Sequence, residues 1–219
     1  MSFYRGPKIV TSGLYALYDA ADKNSYPGSG TAWRDISGNE RHGTLTNGVG
    51  YAESSIPTLT FDGVDDFVNL PFPLTQASSA NTCTIFAAAR LSSTSASRRQ
   101  IIGSDNGGFD WGFGAGDNTQ YIVFTGAGVG SAVAQDLNWH IFAVQWSQTN
   151  TRFYIDNNLV VNTSVDWDSS VASNANIGRN PGFGELWHGS ISLVQIYDRV
   201  LADVEINQNF NALRGRFGI

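Results

Sequence analysis

Residues 143–162 read AVQWSQTNTRFYIDNNLVVN and contain two runs in which apolar and polar side chains alternate. Alternation with a period of two is typical of a strand that buries one of its faces. Between the runs stand Asp156 and Asn157, which both tolerate the positive φ that a two-residue hairpin turn of the primed type requires. The stretch therefore predicts a strand, a tight turn and a returning strand, the repeating unit of an antiparallel sheet.

Working outward, the same pattern recurs along most of the chain. Apolar runs bounded by Gly, Asn, Asp or Pro predict further strands at 14–18, 58–61, 67–70, 82–90, 100–104, 109–114, 120–125, 139–146, 175–178 and 189–197. Residues 22–50 are predicted to form a Gly/Asn-rich excursion, and residues 127–131 a Gly-rich bend. The sequence thus indicates an all-β fold built from antiparallel strands.

The C-terminal segment has a different period. Ile206, Phe210 and Leu213 stand at i, i+4 and i+7, which places them on one face of a short helix. Asp203 is expected to cap its start and Gly215 to end it. We predict one short C-terminal helix packed on the sheets.

Composition excludes several classes of protein. The chain has 219 residues, of which 15% are charged, below the roughly 25% of typical soluble domains. Its net charge is −6, so it lacks the basic surface that nucleic acids or anionic membranes require. The single cysteine, Cys83, lies in an apolar run and is expected to be a buried small side chain rather than part of a disulfide. The N-terminus does not resemble a secretory signal, and no apolar run is long enough to predict a membrane helix.

Four groups of motifs follow one another in a familiar order. They are GLYALYDA (13–20) with SYPGSG (25–30), Trp33 and DISGN (35–39); LTFDGVDDFV (59–68); WHIFAV (139–144) with FYIDN (153–157); and ISLVQIYDRVL (191–201) before the helix. Together they resemble the laminin-G-like, concanavalin A-like jelly-roll family of bacterial and phage surface proteins. The resemblance implies a two-sheet antiparallel jelly-roll sandwich over residues 13–219, preceded by an N-terminal strap of residues 1–12.

The two ends of the chain resemble a narrower group. GPKIVTSGL (6–14) and EINQNFNALRGRFGI (205–219) are similar to versions of this module in tailed-phage genomes, especially those of phages that infect cyanobacteria. The resemblance implies a complete small virion protein, made in the host cytoplasm, that serves as a capsid decoration, fibre tip or tail adhesin. Such a protein would dock on a capsid or tail protein, could form a homo-oligomer and could bind host-surface polysaccharide. A free carbohydrate-binding lectin module is the alternative.

Enzymatic activity is not expected. Relatives that hydrolyse glycans carry Glu-x-Asp-x-x-Glu on one strand, which supplies the two carboxylates of a glycosidase. The four glutamates of this chain do not have that spacing, and no G-x-S-x-G motif presents a serine nucleophile. A glycan hydrolase or lyase is therefore the least favoured alternative; the glutamates are Glu40, Glu53, Glu185 and Glu205.

Sugars stack on exposed aromatic rings while amide and carboxylate groups bond their hydroxyls. This combination occurs in Gly- and Asn-rich loops, so we predict a glycan site that uses Trp111, Asp110, Phe183, Trp187, Asn180 and Glu185. The alternative is that the aromatic members belong to the core, because burial favours large rings. Trp33, Trp139 and Trp146 lie in motif strands and are assigned to the core.

Two further sites are expected. Calcium needs six to eight oxygen ligands, and Asp35, Asp62, Asp19 and Asp65 lie in motif loops that could supply them as a structural Ca²⁺ site. The alternative is that these aspartates bond their own turns. Docking to a partner is expected to use the apolar and basic residues of both termini, unless these pack on their own sheet as straps; the residues are Phe3, Tyr4, Arg216 and Phe217.

Overall fold

The fold is that of a computed structural model, which describes residues 7–74, 82–105, 110–125, 127–164 and 173–219. This part of the chain forms sixteen strands followed by one helix. In chain order the elements are β1 Leu14–Asp19, β2 Ala32–Trp33, β3 Gly43–Thr46, β4 Gly50–Ala52, β5 Thr58–Asp62, β6 Phe67–Asn69, β7 Cys83–Leu91, β8 Arg99–Asp105, β9 Asp110–Gly116, β10 Gln120–Thr125, β11 Ala127–Ala134, β12 His140–Trp146, β13 Thr151–Ile155, β14 Asn158–Thr163, β15 Asn176–Ile177, β16 His188–Tyr197 and α1 Asp203–Phe217.

The strands form two eight-stranded sheets. In sheet I the order is β14-β13-β12-β7-β16-β5-β4, and β1 also pairs with β16. In sheet II the order is β11-β10-β9-β8-β15-β6-β3-β2. Every pair is antiparallel. The predicted all-β, two-sheet sandwich with a short C-terminal helix is confirmed.

Alternation along the strands assigns side chains to two apolar layers. In β12, Phe142, Val144 and Trp146 lie in the core between the sheets. Ile141 and Ala143, which point the other way, lie in a second cluster on the outer face of sheet I. Helix α1 covers that outer face with Ile206, Leu213 and Phe217, among others. Cys83 is fully buried, as expected, and burial raises the pKa of its thiol.

The hairpin that decided the fold is confirmed. Strands β13 and β14 pair directly, and the two residues between them have φ values of 50° for Asp156 and 65° for Asn157. A positive φ at both central positions is the signature of a type I′ turn, whose twist matches that of the paired strands.

Two local predictions were wrong. Residues 127–131 are not a bend but the start of β11, an edge strand that pairs with β10. An ideal Cβ at Gly128 would lie 2.7 Å from the Ile122 side chain, so here glycine allows close packing rather than marking a turn. The excursion at 22–50 contains β2, β3 and the first residue of β4, strands of two to four residues that are too short to show alternation.

Helix α1 also differs at both ends. The N-cap is Ala202, whose N–H donates to the Glu205 carboxylate at 2.8 Å, whereas Asp203 pairs with Arg152 at 2.6 Å. The helix continues through Gly215 and ends at Phe217, after which Gly218 adopts a φ of 74°. Both expected helix-end roles, of Asp203 and of Gly215, are therefore wrong. No helix in the described part of the chain is both long enough and apolar enough to span a bilayer.

Candidate functional site

Two of the aromatic rings predicted to stack on sugars are buried and cannot contact a ligand. Trp111 and Trp187 are both fully buried in the core between the sheets. In β9 the large residues Trp111 and Phe113 alternate with glycines, so the large side chains face inward and the strand presents almost no side chain on its outer side. The prediction that Trp111 and Trp187 contact a glycan is wrong, and the core alternative is correct.

Asn180 organises a turn instead of contacting sugar. Its Oδ1 atom accepts the N–H groups of Gly182 at 2.6 Å and of Phe183 at 3.1 Å, while its carbonyl oxygen accepts from Gly184 at 3.0 Å. Because Asn180 has no exposed surface, the prediction of a direct role in binding is wrong. Phe183 stands at the tip of this turn with 68% of its surface exposed, so its ring is accessible. We call this exposed tip, Gly182–Gly184, the Phe183 rim.

Glu185 anchors the loop that carries the Phe183 rim. Its Oε2 atom accepts from Nε2 of Gln100 at 2.7 Å, and its carbonyl oxygen accepts from the backbone N–H of Gln100 at 2.8 Å. Burial raises the pKa of Glu185 above its ordinary value. Asp110 of β9 pairs through its backbone with Asp105 of β8, and the structure does not describe its side chain. Of the described side chains predicted to bind glycan, only Phe183 has a largely exposed ring.

A second aromatic surface lies on the outer face of sheet I. Trp139 directly precedes β12 and shares its outward direction with Ile141 and Ala143. Its ring centroid is 5.3 Å from that of Phe217, and the guanidinium carbon of Arg90 lies 5.3 Å from the ring centroid. Because Trp139 remains partly exposed, its assignment to the core is wrong.

These residues border a groove of about 440 Å³, which we call the Trp139 groove. Its walls combine an aromatic ring with hydrogen-bonding and charged groups, namely Arg90, Asn138, Trp139, His140, Asp156 and Phe217. Arg90 is exposed, and none of the ion pairs in the described part of the chain involves it. The groove therefore offers an unpaired cation next to an aromatic ring. The parity of β12 places Trp139 on the face opposite to Phe142, and this becomes informative only once the structure shows that Phe142 faces the core.

His140 fixes the floor of the groove. Its Nδ1 atom lies 2.6 Å from Asp156 and its Nε2 atom 2.9 Å from Asp136. Burial opposes the charge on His140, but hydrogen bonds to Asp156 and Asp136 outweigh burial and raise its pKa. Asp156 also accepts the N–H of Ile141 at 2.9 Å, so both of its carboxylate oxygens are used. The clamp ties the hairpin turn to the residues that begin β12.

The described docking candidates fold back onto their own sheet. Arg216 pairs with Asp19 at 2.8 Å and donates to the Ser192 hydroxyl at 2.5 Å. Phe217 is 6% exposed and contacts Trp139. Arg216 and Phe217 thus pack on their own sheet in the way the strap alternative describes, and docking of a partner through them stays a prediction. Phe3 and Tyr4 lie outside the described residues.

The predicted calcium ligands separate into two groups. Asp35 uses Oδ1 to accept the N–H groups of Leu17 and Ser37, both at 2.9 Å, and uses Oδ2 to accept from the Ser37 hydroxyl and the Arg41 N–H. Asp19 is neutralised by Arg216. Structural hydrogen bonds thus engage Asp35 and an ion pair engages Asp19, as the turn-bonding alternative describes for Asp35, and their role as metal ligands stays a prediction.

Asp62 and Asp65 do come together, and Asp66 joins them. One carboxylate oxygen of each of the three lies within 4.8 Å of the others. Asp66 lies in the same LTFDGVDDFV motif but is not among the predicted ligands, because nothing in its spacing distinguishes a buried from an exposed aspartate.

Comparison with known proteins supports this architecture. A family model described as the concanavalin A-like lectin/glucanases superfamily (Laminin_G_3) matches residues 62–207. No curated protein sequence matches the chain significantly.

Three solved structures illustrate the range of similar folds. Trypanosoma rangeli sialidase in complex with sialic acid has a TM-score of 0.74 at 16% identity, covering 95% of this chain and 34% of that one. Domain 4 of AbnA, a GH43 extracellular arabinanase from Geobacillus stearothermophilus solved with arabinotriose, has a TM-score of 0.70 at 16% identity, covering 90% of this chain and 98% of that one. The binding domain of botulinum neurotoxin serotype D/C has a TM-score of 0.68 at 14% identity, covering 93% and 53%. The chain thus spans about a third of the sialidase, and identities this low establish the fold alone.

Proposed function

Because the chain belongs to the concanavalin A-like lectin/glucanase superfamily, we propose that it is a non-catalytic carbohydrate-binding protein whose glycan site is the Trp139 groove. The observation that carries the proposal is the combination, in one groove of about 440 Å³, of a partly exposed tryptophan and an unpaired arginine. The arabinanase domain of similar fold is a structure bound to arabinotriose, which supports a sugar as the ligand class.

The chemistry of the groove favours an acidic sugar. The Trp139 ring supplies an apolar surface for the C–H face of a pyranose, and Asn138 is exposed and can bond hydroxyl groups. Arg90 supplies a guanidinium that pairs bidentately with a carboxylate. The ligand class we infer is therefore a uronic- or sialic-type residue within a polysaccharide.

A glycan array tests the proposal with the wild-type protein and three variants. Trp139→Ala should abolish glycan binding. Arg90→Gln should weaken the affinity for acidic glycans at least tenfold and leave the affinity for neutral glycans unchanged. Phe183→Ala is the matched control, since it removes the exposed aromatic ring of the Phe183 rim, outside the Trp139 groove. Loss of binding in Phe183→Ala with retention in Trp139→Ala would move the site to the Phe183 rim. Failure of the wild-type protein to bind any glycan would refute the function itself.

The absence of catalysis is part of the proposal. A glycosidase needs two carboxylates free to act as acid and nucleophile or base. In the groove, Asp156 is engaged by His140 and by the backbone, which leaves no such pair there. Outside the groove, Ser93 Oγ lies 3.2 Å from Nδ1 of His188 and 3.3 Å from a guanidinium nitrogen of Arg99, an arrangement suited to holding a loop. New reducing ends after incubation with acidic polysaccharide would contradict this part of the proposal.

We further propose that the protein is displayed on a phage particle as a decoration or adhesin. The support is the similarity of residues 6–14 and 205–219 to phage-encoded versions of the module. Quantitative proteomics and immunogold labelling of purified particles provide the test. Recovery of the protein only from the free lysate fraction would favour the alternative, a free lectin module.

A further inference from the structure

A second cavity lies next to the Trp139 groove, at the C-terminal end of helix α1. It has a volume of about 600 Å³ and is bordered by Pro7, Asn211, Arg214, Gly215 and Ile219. We call it the Arg214 pocket. Ile219 also borders the Trp139 groove, so the two cavities are adjacent and share one wall.

The end of the helix fixes the position of that shared wall. Gly218 adopts the left-handed conformation, with a φ of 74°, and its N–H donates to the Arg214 carbonyl oxygen. The Ile219 N–H donates to the same oxygen at 3.2 Å, so the chain turns back over the last turn of α1. On the far side of the pocket, the Lys8 carbonyl oxygen accepts from Nε2 of Gln208 at 2.7 Å, which holds the segment before β1 against α1.

Each cavity contains an arginine that the protein does not neutralise. Arg214 and Arg90 are both exposed, and neither takes part in an ion pair within the described ranges. Lys8 is a third exposed cation beside the pocket. The carboxylate of the groove, Asp156, is engaged by His140. Because the whole chain has a net charge of −6, these free cations are a local exception that favours an anionic ligand.

We propose that the Trp139 groove and the Arg214 pocket are two subsites of one cleft, which binds several consecutive residues of an acidic polysaccharide. Arg90 and Arg214 pair with the carboxylates of different sugar residues, as guanidinium groups do with carboxylates. Binding at the first subsite holds the chain close to the second, so the second contact adds affinity at a high effective concentration. This inference rests on the proposed glycan function of the groove and extends it from one acidic sugar to a chain.

Calorimetric titration with acidic oligosaccharides of increasing length tests the proposal. The probes are oligogalacturonates of one to eight residues, with oligosialates as a second series. For at least one series, the affinity of the wild-type protein should rise at least tenfold from the shortest to the longest chain and then level off. Methyl-esterified oligogalacturonates of the same lengths lack the charge and should show no such rise. Added salt should reduce the gain, because it screens exposed charges.

Variants separate the two subsites. Arg214→Gln should remove the gain with length and leave the affinity for the shortest chain unchanged, whereas Arg90→Gln should weaken the affinity for chains of every length. Arg214→Lys should keep most of the gain because it retains the charge. Arg34→Gln is the charge-matched control and should bind like the wild type, since Arg34 is exposed and borders neither cavity. The unfolding midpoint of Arg214→Gln should equal that of the wild type, which excludes a folding defect.

Three results would overturn the proposal. Affinity that does not depend on chain length, or a gain that survives in Arg214→Gln, would confine the ligand to the Trp139 groove and leave the proposed function intact. A wild-type dimer that Arg214→Gln dissociates would assign the Arg214 pocket to an interface between two copies of the chain. If no chain of any length binds, the glycan function fails together with the inference.

Discussion

Replacing Asn209 by alanine should destabilise the protein more than its position on a C-terminal helix suggests. Asn209 has no exposed surface, and its Oδ1 atom accepts the backbone N–H of Val10 at 2.7 Å. Its amide donates to the Tyr197 hydroxyl at 3.0 Å, and that hydroxyl donates to the Val10 carbonyl at 2.9 Å. One side chain therefore connects helix α1, strand β16 and the segment that precedes β1.

The magnitude follows from these bonds. Each of the two hydrogen bonds made by Asn209 contributes about 1 kcal/mol net. The alanine variant also leaves the buried N–H of Val10 without a partner, which costs about 1–3 kcal/mol. Because these contributions partly overlap, we expect a loss of about 2–4 kcal/mol in the free energy of unfolding.

Urea denaturation followed by tryptophan fluorescence measures this loss. Asn211→Ala is the matched control, because Asn211 lies on the same helix and its amide bonds only to Asn207, in an exposed position. The control should lose less than about 0.5 kcal/mol, as is usual for surface changes. If Asn209→Ala unfolds with the same free energy as Asn211→Ala, the three-element connection contributes nothing and the reasoning fails.

Three further outcomes are expected. Gly112→Ala should lower the free energy of unfolding by about 1–3 kcal/mol in a urea titration, because an ideal Cβ there would lie 2.5 Å from the backbone oxygen of Ile102 and would also meet the Gln100 side chain; an unchanged midpoint would contradict this packing. Asn157→Val should lose about 1–2 kcal/mol, since a branched residue is strained at a φ of 65°, while Asn157→Gly should keep full stability. The raised pKa of His140 predicts a stabilisation that is complete below its unfolded-state pKa, about 6.5, and is lost as pH rises through the higher folded-state value. The free energy of unfolding, measured across this pH range, should fall in the wild type and change less with pH in His140→Gln.

The sequence predicted the fold well wherever a strand was long enough to alternate. The bounds of β10 at Gln120–Thr125 and the turn at Asp156–Asn157 agree with the structure. Strands β2 and β4, with two and three residues, are defined by pairing with β3 and β5, and runs this short cannot show the alternation that predicts a strand. Strand β11 was missed because its glycines allow close packing, which resembles turn chemistry in sequence.

The candidate site was harder to predict because composition identifies residue types but not directions. Trp111 follows Asp110 and Trp139 follows Asn138 in sequence, yet one is in the core and the other borders a groove. The difference depends on which side of each strand faces the opposite sheet, a property of the whole sandwich. Arg90 had no sequence signal at all, because its significance comes from lying beside a tryptophan of a neighbouring strand segment.

The bare outer side of β9 limits how this protein can diversify. Because Gly112 leaves no side chain there, the Gln100 carboxamide fills the space and holds the loop through Glu185. The sheet beneath the loop thus fixes its base, whereas the Phe183 side chain at its tip is exposed. Homologues should therefore vary freely at the tip and keep the loop's length, so that new surface chemistry can arise there without refolding the sandwich.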